Sequence, residues 1–129
     1  MKEEIKIRLE KAKEKLEAAK YLLKGGFYDD AISRAYYAVF HAAKAILLLF
    51  NEDPKTHEGV LHKFGLRIIK EGILDKKYGV ILRRLKEMRE TSDYVILAYF
   101  TEDEIKEAIR AAEEFIHVIE DFLKKKKIL

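Results

Sequence analysis

The chain has 129 residues, 49% apolar and 38% charged, with 26 Lys and Arg against 23 Asp and Glu for a formal net charge of +3. That length implies one domain, 1–129, with a real core, and the near balance of charge neither requires nor excludes a nucleic-acid partner. The lack of cysteine removes disulfides, thiolate metal sites and cysteine nucleophiles, while the absence of a signal-like N-terminus or a ~20-residue apolar run makes a cytoplasmic protein with no membrane contact the expectation.

Residues 3–24 carry Ile5, Leu9, Ala12, Leu16, Ala19 and Leu23 at alternating four and three spacings between charges, which predicts an amphipathic helix that Gly25-Gly26 stops. A second helix is expected from Tyr28 to Phe50. Asp29 and Asp30 sit in its first turn, where carboxylates favour the positive end of the helix dipole. Beyond Arg34 its apolar residues run round nearly the whole circumference, so other helices must enclose it. Asn51–Lys55, with Pro54, makes the turn.

A shorter third helix is predicted from Thr56 to before Gly72, weakened or drawn into close packing by Gly59 and Gly65. The fourth, Asp75–Asp93, places Tyr78, Ile81, Leu82, Leu85 and Met88 on one side and the basic group Arg83, Arg84, Lys86 and Arg89 on the other. The last begins at Thr101-Glu102-Asp103-Glu104, where Thr and Glu three apart match a capping box. Its apolar face, Ile105, Ile109, Ala112, Ile116, Ile119 and Leu123, runs down to a tail of Lys124–Lys127. No segment alternates like a strand, so the expected fold is all-α, an up-and-down bundle of four to five helices. The apolar connection Tyr94–Phe100 needs cover, either by folding back over the bundle or by meeting a second copy.

Several motifs fail on spacing. His57-Glu58 and His62 miss the zinc-protease pattern, because five residues turn the two histidines ~140° apart on a helix. Glu114 and His117 form one Glu-x-x-His unit where a di-iron bundle needs two, and read as a surface pair with Asp121. There is no phosphate-binding Gly-Lys loop and no Gly-x-Ser-x-Gly elbow.

What stands out is Arg34 and His41, seven residues apart on a helix otherwise built from apolar residues. Seven steps bring their side chains within ~20° of one face and ~10 Å apart along the axis, so both can act on one ligand. A purely structural reading also exists. Arg34 could pair with Asp30, four residues before it, or with Asp93, and His41 could donate to a backbone carbonyl in the core. Tyr36 and Tyr37 read as packing residues, and Ser33 as bonding back to its own helix.

The run Ser33-Arg34-Ala35-Tyr36-Tyr37-Ala38, followed by Phe40-His41-Ala42-Ala43 and preceded by Gly26 and Tyr28, resembles the second helix of HEPN domains, the nucleotide-binding family of higher eukaryotes and prokaryotes. Thr56-His57, Gly59 and Phe64 resemble that family's third helix. Arg89 with Asp93-Tyr94 resembles the Arg-x-x-x-Asp-Tyr close of its fourth, so the likeness spans almost the whole chain. The resemblance implies a helical bundle that forms a homodimer and works beside a minimal nucleotidyltransferase, commonly as toxin and antitoxin. Many members are metal-independent ribonucleases whose motif is an arginine, four to six residues, then a histidine.

Arg34 and His41, with six residues between them, carry that spacing and are the expected catalytic pair. Arg83, Arg84, Arg89 and Tyr37 are the expected contacts to RNA or nucleotide, with Asp30, Asp93 and Tyr94 in support, and no metal or cofactor is implied. Two departures stand out: Ala35 replaces the polar residue usual after the arginine in active members, and Ala43 replaces a tyrosine that some relatives modify. The competing expectation is a non-catalytic module that binds a nucleotide or docks a partner.

Without a metal, cleaving RNA takes a base for the 2′-hydroxyl proton, an acid for the leaving oxygen, and a cation near the phosphorane. One histidine cannot hold both protonation states, so two copies of this helix in a dimer are expected to supply them.

Overall fold

The computed structural model describes residues 1–95 and 100–129. Among the described residues five α-helices follow one another: α1 (Lys2–Lys24), α2 (Tyr28–Leu49), α3 (His57–Phe64), α4 (Lys76–Tyr94) and α5 (Glu102–Lys125). No strand occurs among the described residues. The architecture is the expected all-α bundle, and apart from the end of α3 the element ends are within a residue or two of those read from the sequence.

The helix ends are chemically determined. After α1, Gly26 adopts φ +80°, its N–H bonds the Leu23 carbonyl at 3.0 Å, and the Phe27 N–H reaches back to Leu22 at 2.9 Å. This reciprocal pair satisfies carbonyls that have no partner within the helix, and the left-handed residue it requires suits glycine. Asn51 performs the same turn after α2 at φ 61°, with Asn51 and Glu52 bonding Leu48 and Leu47, each at 3.0 Å. At the start of α5 the Thr101–Glu104 capping box is present in both directions.

The third helix departs from a simple reading. α3 runs into one wider turn over Gly65–Ile69, in which the Lys70 N–H bonds the Gly65 carbonyl at 2.8 Å, five residues back. Gly72 at φ +75° then ends it.

Ion pairs fix the helix directions. Lys20 meets Glu113 at 3.0 Å and Lys13 pairs with Glu120, so α5 runs antiparallel to α1. Tyr78 donates to Glu114 at 2.9 Å and Arg84 to Glu107 at 3.4 Å, so α4 runs antiparallel to α5. The Ser92 hydroxyl donates to Asp29 at 2.6 Å, which seats the end of α4 beside the start of α2.

α2 is the central helix and packs against all four others. Its alanines 31, 35, 38, 42, 43 and 45 are buried with Ile32, Val39, Ile46 and Leu47, and these small side chains let neighbouring helices approach closely. Ile5, Leu9, Ala12, Leu16 and Ala19 are the buried stripe of α1, and Leu23 is half-buried at its end. Among the described residues, every fully buried one is apolar or a tyrosine. Truncating Ile46 or Leu47 to alanine is expected to cost ~2–5 kcal/mol.

Enclosure of α2 is incomplete. Between α1 on one side and α3 and α4 on the other, Ser33, Arg34, Tyr37, Phe40, His41 and Lys44 remain partly open to solvent. That strip holds the residues of interest. Of the apolar run Tyr94–Phe100, Tyr94, the last residue of α4, is 78% exposed. Positions 96–99 lie outside the described residues, and with them the expected cover of this connection.

Candidate functional site

Arg34 is exposed and makes no ion pair among the described residues. The structural reading had tied it to Asp30 or Asp93. Instead Asp30 is exposed, and Asp93 meets Arg89 at 3.3 Å on its own helix. An arginine with no structural partner, beside the opening in the bundle, is available to an anion.

His41 is half-buried, and its neighbour is not the backbone carbonyl of the structural reading. Arg8 of α1 donates to its Nδ1 at 3.1 Å. A guanidinium has no acceptor, so Nδ1 must offer its lone pair and the ring proton sits on Nε2. Burial pushes the pKa of His41 down to about 4, and the charges of Arg8, Lys15, Lys11 and Lys44 act in the same direction. The ring is therefore neutral at pH 7.

The register of the helices places a second cation at the level of Arg34. α1 and α2 are antiparallel about the Gly25-Gly26 turn, and Arg8 meets His41. Lys15 stands seven residues after Arg8, and Arg34 seven before His41, so Lys15 and Arg34 lie at the same level. Arg8, Lys11, Lys15 and Arg34 all lack an acidic partner within ion-pair distance among the described residues. Lys44 is paired with Asp53 at 3.4 Å, and Lys86 with Glu58 and Glu90, each at 3.1 Å. Uncompensated positive charge is thus concentrated along the α1 side of the strip.

The α4 side is aromatic. Tyr36, 0% exposed, hydrogen bonds through its hydroxyl to Nδ1 of His57 at 2.6 Å, which provides the partner its buried hydroxyl needs. His57 stacks on Phe40 with ring centroids 4.4 Å apart, and Tyr37 lies 6.4 Å from His41. The Arg89 guanidinium covers the rings of Tyr37 and Tyr36 at 5.1 and 5.6 Å. Burial lowers the pKa of His57, with Arg89, Lys86 and Lys44 adding to it, and burial raises that of Tyr36.

Among the expected site residues, the structure therefore brings Arg34, Tyr37, His41 and Arg89 to one strip. Arg83 and Arg84 are on another face of α4, along a cleft of about 470 Å³ shared with Leu61, Phe64, Ile69 and Val80, and Arg84 is paired with Glu107. The basic group of α4 is split, because Lys86 and Arg89 turn inward. Tyr94 ends α4 in solvent. Ala35 is 1% exposed and faces the core, so this position supplies no group to the strip.

Arg8 and Lys15 escaped the sequence reading, and His57, noted there only in a rejected zinc motif and in the third helix, was not assigned to the site. A signal for Arg8 existed: it stands three residues after Ile5 and four before Ala12, on the border of the buried stripe. His57 and His62 do part as expected, His57 turning inward while His62 is exposed, and no metal-binding group of side chains occurs among the described residues. His117 lies 3.5 Å from Asp121 on the exposed face of α5.

Comparison with known proteins shows the family. Residues 5–122 match the sequence model of the HEPN domain. A Methanocaldococcus jannaschii protein named "Putative toxin" is 43% identical over 124 residues, covering 96% of this chain and 92% of its own length. Another from the same organism, with the same designation, is 34% identical over 128 residues, 99% of this chain and 87% of that one. A UPF0332 protein of Thermotoga maritima is 38% identical over 113 residues, covering 88% and 86% of the two chains.

Proposed function

The chain belongs to the HEPN domain family, and on that premise we propose that it is a toxin-type member that cleaves RNA without a metal, as a homodimer, beside a minimal nucleotidyltransferase. The observation that carries this reading is Arg34, exposed and without an ion-pair partner among the described residues, on the same face as a neutral, half-buried His41. A structural arginine would be paired inside the bundle. The toxin designation of two relatives supports the same reading.

The chemistry follows from the groups present. One His41 takes the 2′-hydroxyl proton while the 2′-oxygen attacks phosphorus. The bond from phosphorus to the 5′-oxygen breaks, and that oxygen receives a proton from the second His41, leaving a 2′,3′-cyclic phosphate and a 5′-hydroxyl. The Arg34 guanidinia hold the phosphoryl oxygens as negative charge builds. Burial and, after it, the surrounding cations depress the pKa of His41, and an entering phosphate anion opposes the cations and so raises the proton affinity of the ring.

The second reading, a non-catalytic nucleotide-binding or partner-docking module, is favoured by one observation: core-facing Ala35 adds no polar group beside Arg34. Cleavage of a mixed RNA pool in excess chelator decides between them. Wild type should cut, and His41→Ala should not, with helicity and dimerisation retained. Undiminished cleavage by His41→Ala would remove the role of His41, and a folded, dimeric wild type that cuts nothing would favour the docking module.

A further inference from the structure

The contact between Arg8 and His41 has a chemical consequence for the proposed reaction. With Nδ1 accepting from Arg8 and Nε2 carrying the proton, the neutral ring has no free lone pair to act as a base. Moving the proton to Nδ1 would set an N–H against the N–H of the guanidinium. His41 as found in the single chain is therefore silent as a base until Arg8 leaves it.

Arg8 has a reason to leave. A guanidinium binds a phosphate through two-pronged hydrogen bonds to an anion, which adds a second bond and an opposite charge to what the single bond to a neutral ring nitrogen offers. Arg8 has no carboxylate within ion-pair distance among the described residues, so no ion pair holds it back. It also borders a hollow of about 170 Å³ with Glu4, Ile7, Lys11, Leu48 and Asp53, which gives its long side chain room to turn. We propose that Arg8 is a substrate-operated positioning residue: in the empty chain it caps Nδ1 of His41, and an RNA phosphodiester entering the strip draws its guanidinium away and frees that nitrogen as the base. This rests on the ribonuclease reading for its catalytic meaning, while the exchange of partners by Arg8 is testable without cleavage.

The charged and titratable groups around His41 are Arg8, Lys11, Lys15 and Glu4 on α1, and Arg34, Tyr37 and Lys44 on its own helix. Asp53 in the following turn, His57 on α3, and Lys86 and Arg89 on α4 complete the set. Among the described residues, only the Arg8 side chain is within hydrogen-bond distance of the ring nitrogens. Its removal therefore has an effect that loss of a distant lysine does not reproduce.

The experiment is imidazole nitrogen NMR on the full, labelled chain, with the His41 signals identified by their absence in His41→Gln. Inorganic phosphate is the probe, with ionic strength held by chloride. Wild type should show a bare Nδ1 and a protonated Nε2, and added phosphate should raise the His41 titration midpoint by about one unit, a tenfold gain in proton affinity. Arg8→Ala should show a raised midpoint before phosphate is added and a smaller response to it. Arg8→Gln, which keeps a neutral donor, should preserve the tautomer while raising the midpoint, and it carries the test if Arg8→Ala fails to fold. A proton on Nδ1 in wild type, or a midpoint unmoved in both variants, overturns the proposal. If the tautomer and shifts appear but no RNA is cut, the ribonuclease reading falls and the hold of Arg8 on His41 stands. If RNA is cut and the His41 midpoint ignores Arg8, the reverse holds.

Discussion

Replacing His41 by glutamine removes a titrating ring yet leaves an amide oxygen that can accept from Arg8, so its effect on stability should depend on pH. The folded chain holds the His41 pKa down to about 4, through burial first and then Arg8, Lys15, Lys11 and Lys44. In the unfolded chain the same ring titrates near ~6.5. A folded pKa below the unfolded one means that the unfolded chain takes up the proton first. The associated stability is complete above pH ~6.5 and is lost as pH falls toward the folded value. Linkage gives about 2 kcal/mol between pH 7 and pH 5, reduced to roughly 1–2 kcal/mol by the water that reaches this half-buried ring. Urea unfolding of both proteins at the two pH values measures it, with His57 and the carboxylates cancelling in the difference. Wild type should lose that much more stability than His41→Gln on acidification. Equal losses would refute the picture of a neutral ring held among cations.

Other tests address the frame around the strip. Tyr36→Phe deletes a fully buried hydroxyl and leaves Nδ1 of His57 without its partner at 2.6 Å, which should lower unfolding free energy by ~1–2 kcal/mol. An unchanged urea midpoint would mean that this bond contributes nothing. Gly26→Ala meets no atom within 4 Å but must adopt φ +80°, so it should cost ~1 kcal/mol from conformation alone. Gly26→Asn should cost less, since Asn51 makes the same turn after α2, and thermal unfolding of the two variants ranks them.

The bundle was legible because its signals are local. Apolar spacing, the Gly25-Gly26 stop, Asn51 with Pro54 and the Thr101–Glu104 box each act within a few residues, and each appears in the structure as read. The wider turn at Gly65–Ile69 was not legible, because apolar spacing over five residues does not distinguish a bond five residues back from one four back. At the site, Arg34 and His41 could be paired by their spacing on one helix. Their neighbours come from other helices: Arg8 lies 33 positions from His41, and His57 lies 21 from Tyr36. Such contacts depend on how the helices dock, which periodicity along one helix does not encode. The same limit explains α4, where four basic residues in one short stretch divide between an outer cleft and an inner aromatic cluster.

In the proposed mechanism two copies of the α2 strip form one ribonucleolytic site, which makes cleavage sensitive to the mixing of subunits. Wild type and His41→Ala are combined in equal amounts, allowed to exchange, and assayed on RNA in chelator at constant total protein. If each site needs a histidine from both copies, only dimers with two wild-type chains cut, and the rate should fall to about a quarter of that of pure wild type. A fall to only about half would mean that each chain works alone, and no cleavage by pure wild type would contradict the ribonuclease reading itself.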